Sequence, residues 1–196
     1  MKSFRRLLVL LLVAVLTACA PILVVQVPAG QTLVGGRIQM QLDGPWNSLD
    51  KLVLSTATTW TVEGVTVDTL QFFVGIKDGA VIAPGQPGAK EQRPLSFKAS
   101  MAPHEVVALY QTLWTRDGSS FTLDKLEPVD FLGGRGFRFD YTLLRKADDV
   151  RLAGFAYALV KDQELFVIHY SAPRLGFFPR YRAQVEQMAV TARLKG

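Results

Sequence analysis

Between residues 134 and 171 the chain alternates apolar and polar or small side chains in three successive runs, and no other feature restricts its fold so tightly. Phe137, Phe139, Tyr141 and Leu143 are interleaved with Arg138, Asp140 and Thr142; Phe155, Tyr157 and Leu159 are interleaved with small residues; residues 165–171 form a third run. A period of two places successive side chains on opposite faces of a strand. Asp148-Asp149 and residues 161–164 supply short polar connections. Connections that short join antiparallel neighbours, because a parallel pair needs a crossover of a dozen or more residues. The expectation is an antiparallel meander.

Helical periods flank it. Pro103 suits a first helical position, Glu105 favours the positive end of the helix dipole, and Val106, Tyr110, Leu113 and Trp114 share one face, with Gly118 placed to end the helix. A second amphipathic helix starts near Pro179, with Phe178, Tyr181, Val185, Met188 and Ala192 on the face that should close the core.

Upstream, residues 22–27 are apolar and β-branched and read as a buried first strand. Residues 37–42 put Ile38, Met40 and Leu42 on one face and Arg37, Gln39 and Gln41 on the other. Asp43-Gly44-Pro45 turns the chain. Residues 58–62 and 65–74 read as strands around Glu63-Gly64, and Asp78-Gly79 signals a hairpin. Residues 83–94, with three prolines and two glycines, form a loop. This order predicts an α+β fold, an antiparallel sheet with two amphipathic helices packed on it.

The order of elements, with GGRGFRFDYTL, the aromatic hairpin FAYALVKDQELFVIHY and the C-terminal amphipathic helix, is similar to the PsbP-like superfamily, over about residues 94–194. The resemblance implies a mostly non-enzymatic accessory or binding protein and assigns no functional residue.

The N-terminus carries a different signal. Lys2, Arg5 and Arg6 precede an apolar run that starts at Leu7, the layout of an export signal. Counted to Val25 the run has 19 residues, close to the ~20 a membrane-crossing helix needs. Counted to Leu16 it has 10, which suits a cleavable segment. Leu16-Thr17-Ala18-Cys19 resembles the lipobox of bacterial lipoproteins, and Pro21 would sit badly in a membrane helix. The resemblance implies that the Cys19 thiol takes a diacylglycerol, that cleavage falls between Ala18 and Cys19, and that the new amine is acylated. Residues 1–18 are then a signal peptide and residues 19–196 one α+β domain, lipid-anchored at Cys19. Ala20 resembles the pattern sorted to the outer membrane, on its periplasmic face, where the organism has two membranes.

Removing that segment changes the electrostatics. The formal charge of +5 includes three cations in residues 1–18, so 19 basic and 17 acidic residues remain, a net +2. No concentrated basic face for nucleic acid is expected from that balance. Cys19 is the sole cysteine, so its acylation leaves no thiol for a disulfide or a metal.

The candidate sites are few. His104 falls in a helix first turn. His169 lies on the strand face opposite Phe166, Ile168 and Tyr170, and a hydrolase would need a serine and a carboxylate oriented on it; no Gly-x-Ser-x-Gly motif occurs. Paired histidines for a metal are absent from the sequence, and Asp148-Asp149 reads as a turn. Leu132-Gly133-Gly134-Arg135-Gly136 lacks the lysine and Ser/Thr of a phosphate loop and reads as positive-φ glycines beside a strand. Arg174, Phe177, Phe178, Arg180, Tyr181 and Arg182 form a possible binding patch, for anionic headgroups or for a protein, against the alternative of core aromatics and solvated arginines. Trp46, Trp60 and Trp114 divide between core and cleft.

The leading expectation is a lipid-anchored envelope protein with a non-catalytic partner-binding or accessory role, no cofactor, no metal and no nucleic acid. The alternatives are a lipoprotein holding an apolar or aromatic small molecule between helix and sheet, and an unrecognised hydrolase.

Overall fold

A computed structural model describes residues 24–49, 57–83 and 93–195. Its first half supplies β1 (Val24–Val27), β2 (Gly30–Val34), β3 (Ile38–Leu42), β4 (Trp46–Leu49), β5 (Thr58–Thr61), β6 (Thr69–Lys77), β7 (Val81–Ala83) and β8 (Leu95–Ser96). Helix α1 (Pro103–Trp114) leads to β9 (Ser120–Phe131), β10 (Gly134–Leu144), β11 (Arg151–Lys161) and β12 (Glu164–Pro173). Helix α2 (Phe177–Thr191) and the short β13 (Arg193–Leu194) follow. One eight-stranded sheet runs β1-β4-β5-β6-β12-β11-β10-β9, antiparallel at every step. Strands β13, β3 and β2 form a separate three-stranded sheet, and β7 pairs with β8. The fold is α+β, as the alternation predicts.

Both faces of the large sheet are covered, and this explains why β12 is buried from Leu165 to Ala172 and carries an unbroken apolar run from Leu165 to Ile168. Phe166, Ile168 and Tyr170 enter the cluster closed by α2 and the three-stranded sheet, with Val185, Met188, Ile38, Met40 and Leu42. Leu165 and Val167 enter the other cluster, closed by Val106, Val107 and Tyr110 of α1 and by Ile82 and Phe97. Strand β11 divides the same way. Phe155, Tyr157 and Leu159 face α2, while Ala156 and Ala158 face α1 and leave a shallow trough there.

Helix α1 starts where Pro103 and Glu105 place it. Glu105 Oε2 accepts from the Ala102 N–H at 2.7 Å, satisfying a donor that the helix leaves free. It ends at Trp114, with Thr115 at its C-cap, earlier than Gly118 suggests; Gly118 instead closes the following turn by donating to the Thr115 carbonyl.

Several expectations change. Strand β1 exists, but it is not buried: Val24 and Val25 are 54% and 43% exposed, because β1 is the outer edge of the sheet and pairs only with β4. Residues 65–68 turn rather than extend, since the buried Asp68 carboxylate accepts from Thr61 Oγ1 at 2.6 Å and from the backbone N–H groups of Val62 and Glu63. Asp78-Gly79 does turn the chain, yet β7 leaves β6 to pair with β8. Strand β9 has no counterpart in the alternation. It is the opposite edge strand, mostly exposed, and carries Asp124, Lys125, Glu127, Pro128 and Asp130, residues that discourage further pairing at an edge.

Candidate functional site

The trough on β11 is filled by aromatic rings of β10. Phe137, Phe139 and Tyr141 lie opposite Ala158, Ala156 and Gly154, and a Cβ at Gly154 would fall on the Tyr141 ring. Because position 154 has no side chain, Tyr141 lies across β11 and its hydroxyl reaches Nε2 of His169 on β12, at 2.6 Å. His169 Nδ1 lies 3.1 Å from Gln71 Oε1 on β6, the residue directly across the ladder. An amide oxygen only accepts, so Nδ1 carries the proton and Nε2 accepts from the tyrosine. Trp114, at the end of α1, stacks on the imidazole with ring centroids 4.3 Å apart, and on Tyr141 at 4.8 Å. Burial pushes the His169 pKa down to about 3 and raises that of Tyr141.

Both histidine nitrogens are therefore satisfied inside the protein. Among the described residues neither meets a serine or a carboxylate, so the arrangement expected of a hydrolase is not assembled there on His169. His104 is exposed in the first turn of α1. Leu132-Gly133 forms the two-residue turn between β9 and β10 with φ values of 52° and 75°; of the three glycines expected at positive φ only Gly133 takes it, while Gly134 and Gly136 are extended in β10. Trp46 and Trp60 are core, 1% and 3% exposed. Among the described residues no three of His, Cys, Asp and Glu gather at metal-binding distance, and no helix is long and apolar enough to cross a membrane. Cys19 and the apolar run before it lie outside the described residues.

The arginine and aromatic patch divides between interior and surface. Phe178 stacks on Tyr170 at 5.8 Å, and Tyr181 meets Trp46 at 6.2 Å, so one side of the first turn of α2 is core. The Arg180 guanidinium lies over Phe177 and binds Glu63 Oε1 at 2.9 Å; Tyr181 donates a short hydrogen bond, 2.5 Å, to the same oxygen. Arg182 pairs with Glu186 at 3.0 Å, and Glu186 also holds Arg138 at 2.8 Å. Arg174 is exposed and has no carboxylate partner among the described residues. Beside it Leu175 is 87% exposed. Gly176, at φ 87°, then turns the chain into α2.

Sequence reasoning missed Glu63 here, and it named Trp46 as core or cleft and Tyr170 as a strand-face residue without bringing either to this region. Glu63 is 117 positions from Arg180 and reads locally as part of a turn. Trp46 Nε1 and Tyr170 Oη are buried without a hydrogen-bond partner among the described residues, and nothing in their local sequence marks them. Tyr181→Asp places a carboxylate beside Glu63 and uncovers Trp46. It should cost about 2 kcal/mol; an unchanged melting temperature would show that this helix face does not bear on the core.

No family model matches the chain, and no curated protein matches it. The solution structure of cyanobacterial PsbP (CyanoP) from Synechocystis sp. PCC 6803 is similar in three dimensions, with a TM-score of 0.58 over 91% of this chain and 96% of that one, at 10% identity. The fold is PsbP-like. A crystal structure from Bacteroides thetaiotaomicron VPI-5482 aligns with a TM-score of 0.46 over 87% of this chain and 50% of that one, also at 10% identity. The PsbP-like architecture extends beyond residues 94–194, where the sequence resembles that superfamily, into the N-terminal strands. At this identity the likeness concerns the fold alone.

Proposed function

We propose that this chain is a lipid-anchored envelope protein whose PsbP-like domain binds a protein partner through the turn that opens α2 and performs no catalysis. The observation that carries the reading is Leu175, 87% exposed between Arg174 and the half-buried Phe177 on an otherwise filled core. An exposed apolar side chain flanked by arginine and aromatic residues matches the composition of protein interfaces. Two of the three arginines are neutralised by Glu63 and Glu186, which favours a protein over anionic headgroups at this turn. The occupied nitrogens of His169 support a non-catalytic role. The lipobox-like Leu16-Thr17-Ala18-Cys19 supports the anchor and, in a two-membrane organism, outer-membrane sorting. Stable attachment needs two or three acyl chains, since a single chain holds only marginally.

The buried Trp46 Nε1 and Tyr170 Oη favour a second reading, a small molecule offering an acceptor oxygen beneath α2. The rings of Phe155, Phe178 and Tyr181 already pack in that place, so α2 would have to shift.

Two measurements test the leading reading. Cys19→Ser should leave full-length precursor and abolish fatty-acid labelling; normal labelling would reject the anchor. A photo-crosslinking residue at Leu175 should trap one dominant protein in intact cells, and Arg174→Glu should reduce that yield. Equal trapping at the exposed Leu123 on β9 would reject the patch.

A further inference from the structure

The two ends of the large sheet differ in charge, and the chain enters the sheet from one of them. The turns at residues 132–133 and 162–163, the end of β6 and strand β13 all lie at one end, here the hairpin end. Exposed Lys77, Lys98, Arg135, Lys161, Arg193 and Lys195 ring it. None of the six has a carboxylate within ion-pair distance among the described residues. Arg37 and Glu164, also at this end, neutralise one another at 2.7 Å. Among the described residues the remaining carboxylates there are Asp78, Glu105, Asp130 and Asp162, so six cations face four anions, a surplus of two. At the opposite end Asp43, Glu63, Asp117, Asp148 and Asp149 interleave with Arg116, Arg145, Lys146, Arg151, Arg174 and Arg180, close to balance, and Arg145 and Arg180 are held in ion pairs.

Strand β1 fixes the direction of the N-terminus. Val24 pairs with Leu49, Leu49 with Thr59, Thr59 with Gln71 and Gln71 with His169, so Val24 lies level with His169. From there β12 reaches the hairpin end at Glu164, five residues away, and residue 19 is likewise five residues before Val24. Five extended residues span about 17 Å. By the sense of the ladder the chain before Val24 leaves β1 on the hairpin side, and residue 19 lies within that distance of Val24.

We infer that the hairpin end is seated on an anionic phospholipid surface, with its cations on the headgroups, and that the opposite end, which carries Arg174, Leu175 and Phe177, points away from the bilayer. The inference rests on the acyl anchor at Cys19. It deepens the proposed function by assigning different partners to the two ends: lipid phosphates at the hairpin end, protein at the start of α2. Lys and Arg side chains within a Debye length of an anionic bilayer are drawn to it, each strengthening the seating roughly fivefold.

Helix α2 provides the test, because its ends approach opposite ends of the sheet. Its 15 residues span about 22 Å. Full-length acylated protein carries a fluorophore on Val190→Cys, near the hairpin end, or on Leu175→Cys. It is reconstituted into phosphatidylcholine vesicles with or without phosphatidylglycerol, containing a nitroxide headgroup lipid. With phosphatidylglycerol, quenching should be several-fold stronger at position 190 than at 175, and Lys77→Gln, Arg135→Gln and Lys161→Gln together should remove the difference. Equal quenching, or a difference indifferent to both phosphatidylglycerol and the substitutions, would overturn the seating while leaving the anchor intact. Protein that fails to float with either vesicle would overturn the anchor, and the seating with it.

Discussion

Gly154→Val is expected to lower the melting temperature by roughly 10 °C or more, at a position that carries no side chain at all. The cause is the absent side chain. Any Cβ at position 154 occupies the space of the Tyr141 ring, which lies over the backbone there to reach His169. The ring must move, and the hydrogen bonds in that layer go with it. Overpacking costs about 1–3 kcal/mol, and a buried donor or acceptor left unpaired adds about 1–3 kcal/mol. Thermal unfolding followed by far-UV circular dichroism measures the loss. The mechanism also predicts strong coupling: in a Tyr141→Leu background the obstructing ring is gone, and Gly154→Val should cost much less than it does alone. Additive losses would show that the two positions do not oppose one another.

Acid should destabilise the protein through His169. Burial holds the folded pKa near 3, against about 6.5 in an unfolded chain. Above pH ~6.5 the imidazole is neutral in both states and adds no pH dependence. Below that the unfolded chain takes up a proton that the folded chain refuses, so stability falls by up to ~1.4 kcal/mol per pH unit until the folded pKa is reached. Between pH 6.5 and 4.5 the loss should approach ~2–3 kcal/mol, a window above most of the carboxylate titrations. Urea midpoints at a series of pH values check this. His169→Gln, which keeps an amide near Tyr141 and Gln71, should flatten the curve across that window. An unaltered slope in the variant would mean that the acid sensitivity arises elsewhere.

The parts of the fold visible in the sequence are those in which one periodicity meets one face. Strand β10 alternates cleanly because α1 covers one side and its other side is partly open. Helix α2 shows its buried face through Val185 and Met188 for the same reason, whereas Ala192, expected on that face, is the extended residue that caps the helix. Strand β9 was hidden because it buries little on either side, and burial is what creates alternation. Strand β1 misleads in the opposite sense: β-branched residues favour extended backbone whether or not anything covers them. At the candidate site, the six patch residues lie within nine positions of one another, but their assignment to core or surface depends on Trp46, Glu63 and Tyr170, brought in from elsewhere in the chain. The histidine layer shows the same limit. Small residues at 154, 156 and 158 indicate that something large lies above them, and only the pairing of β10 with β11 says that it is Tyr141.

The pairing of β6 with β12 has a kinetic consequence. Gln71 and His169 meet across the ladder although 98 positions separate them. Contacts so distant close late, after the entropy of a long loop has been overcome. The strands that leave the ribosome first can pair with one another, but they join the β9–β12 meander only when nearly the whole polypeptide has been made. Under the proposed export and anchoring, such a delay is useful: the full sheet closes only when the passage through the membrane is almost complete.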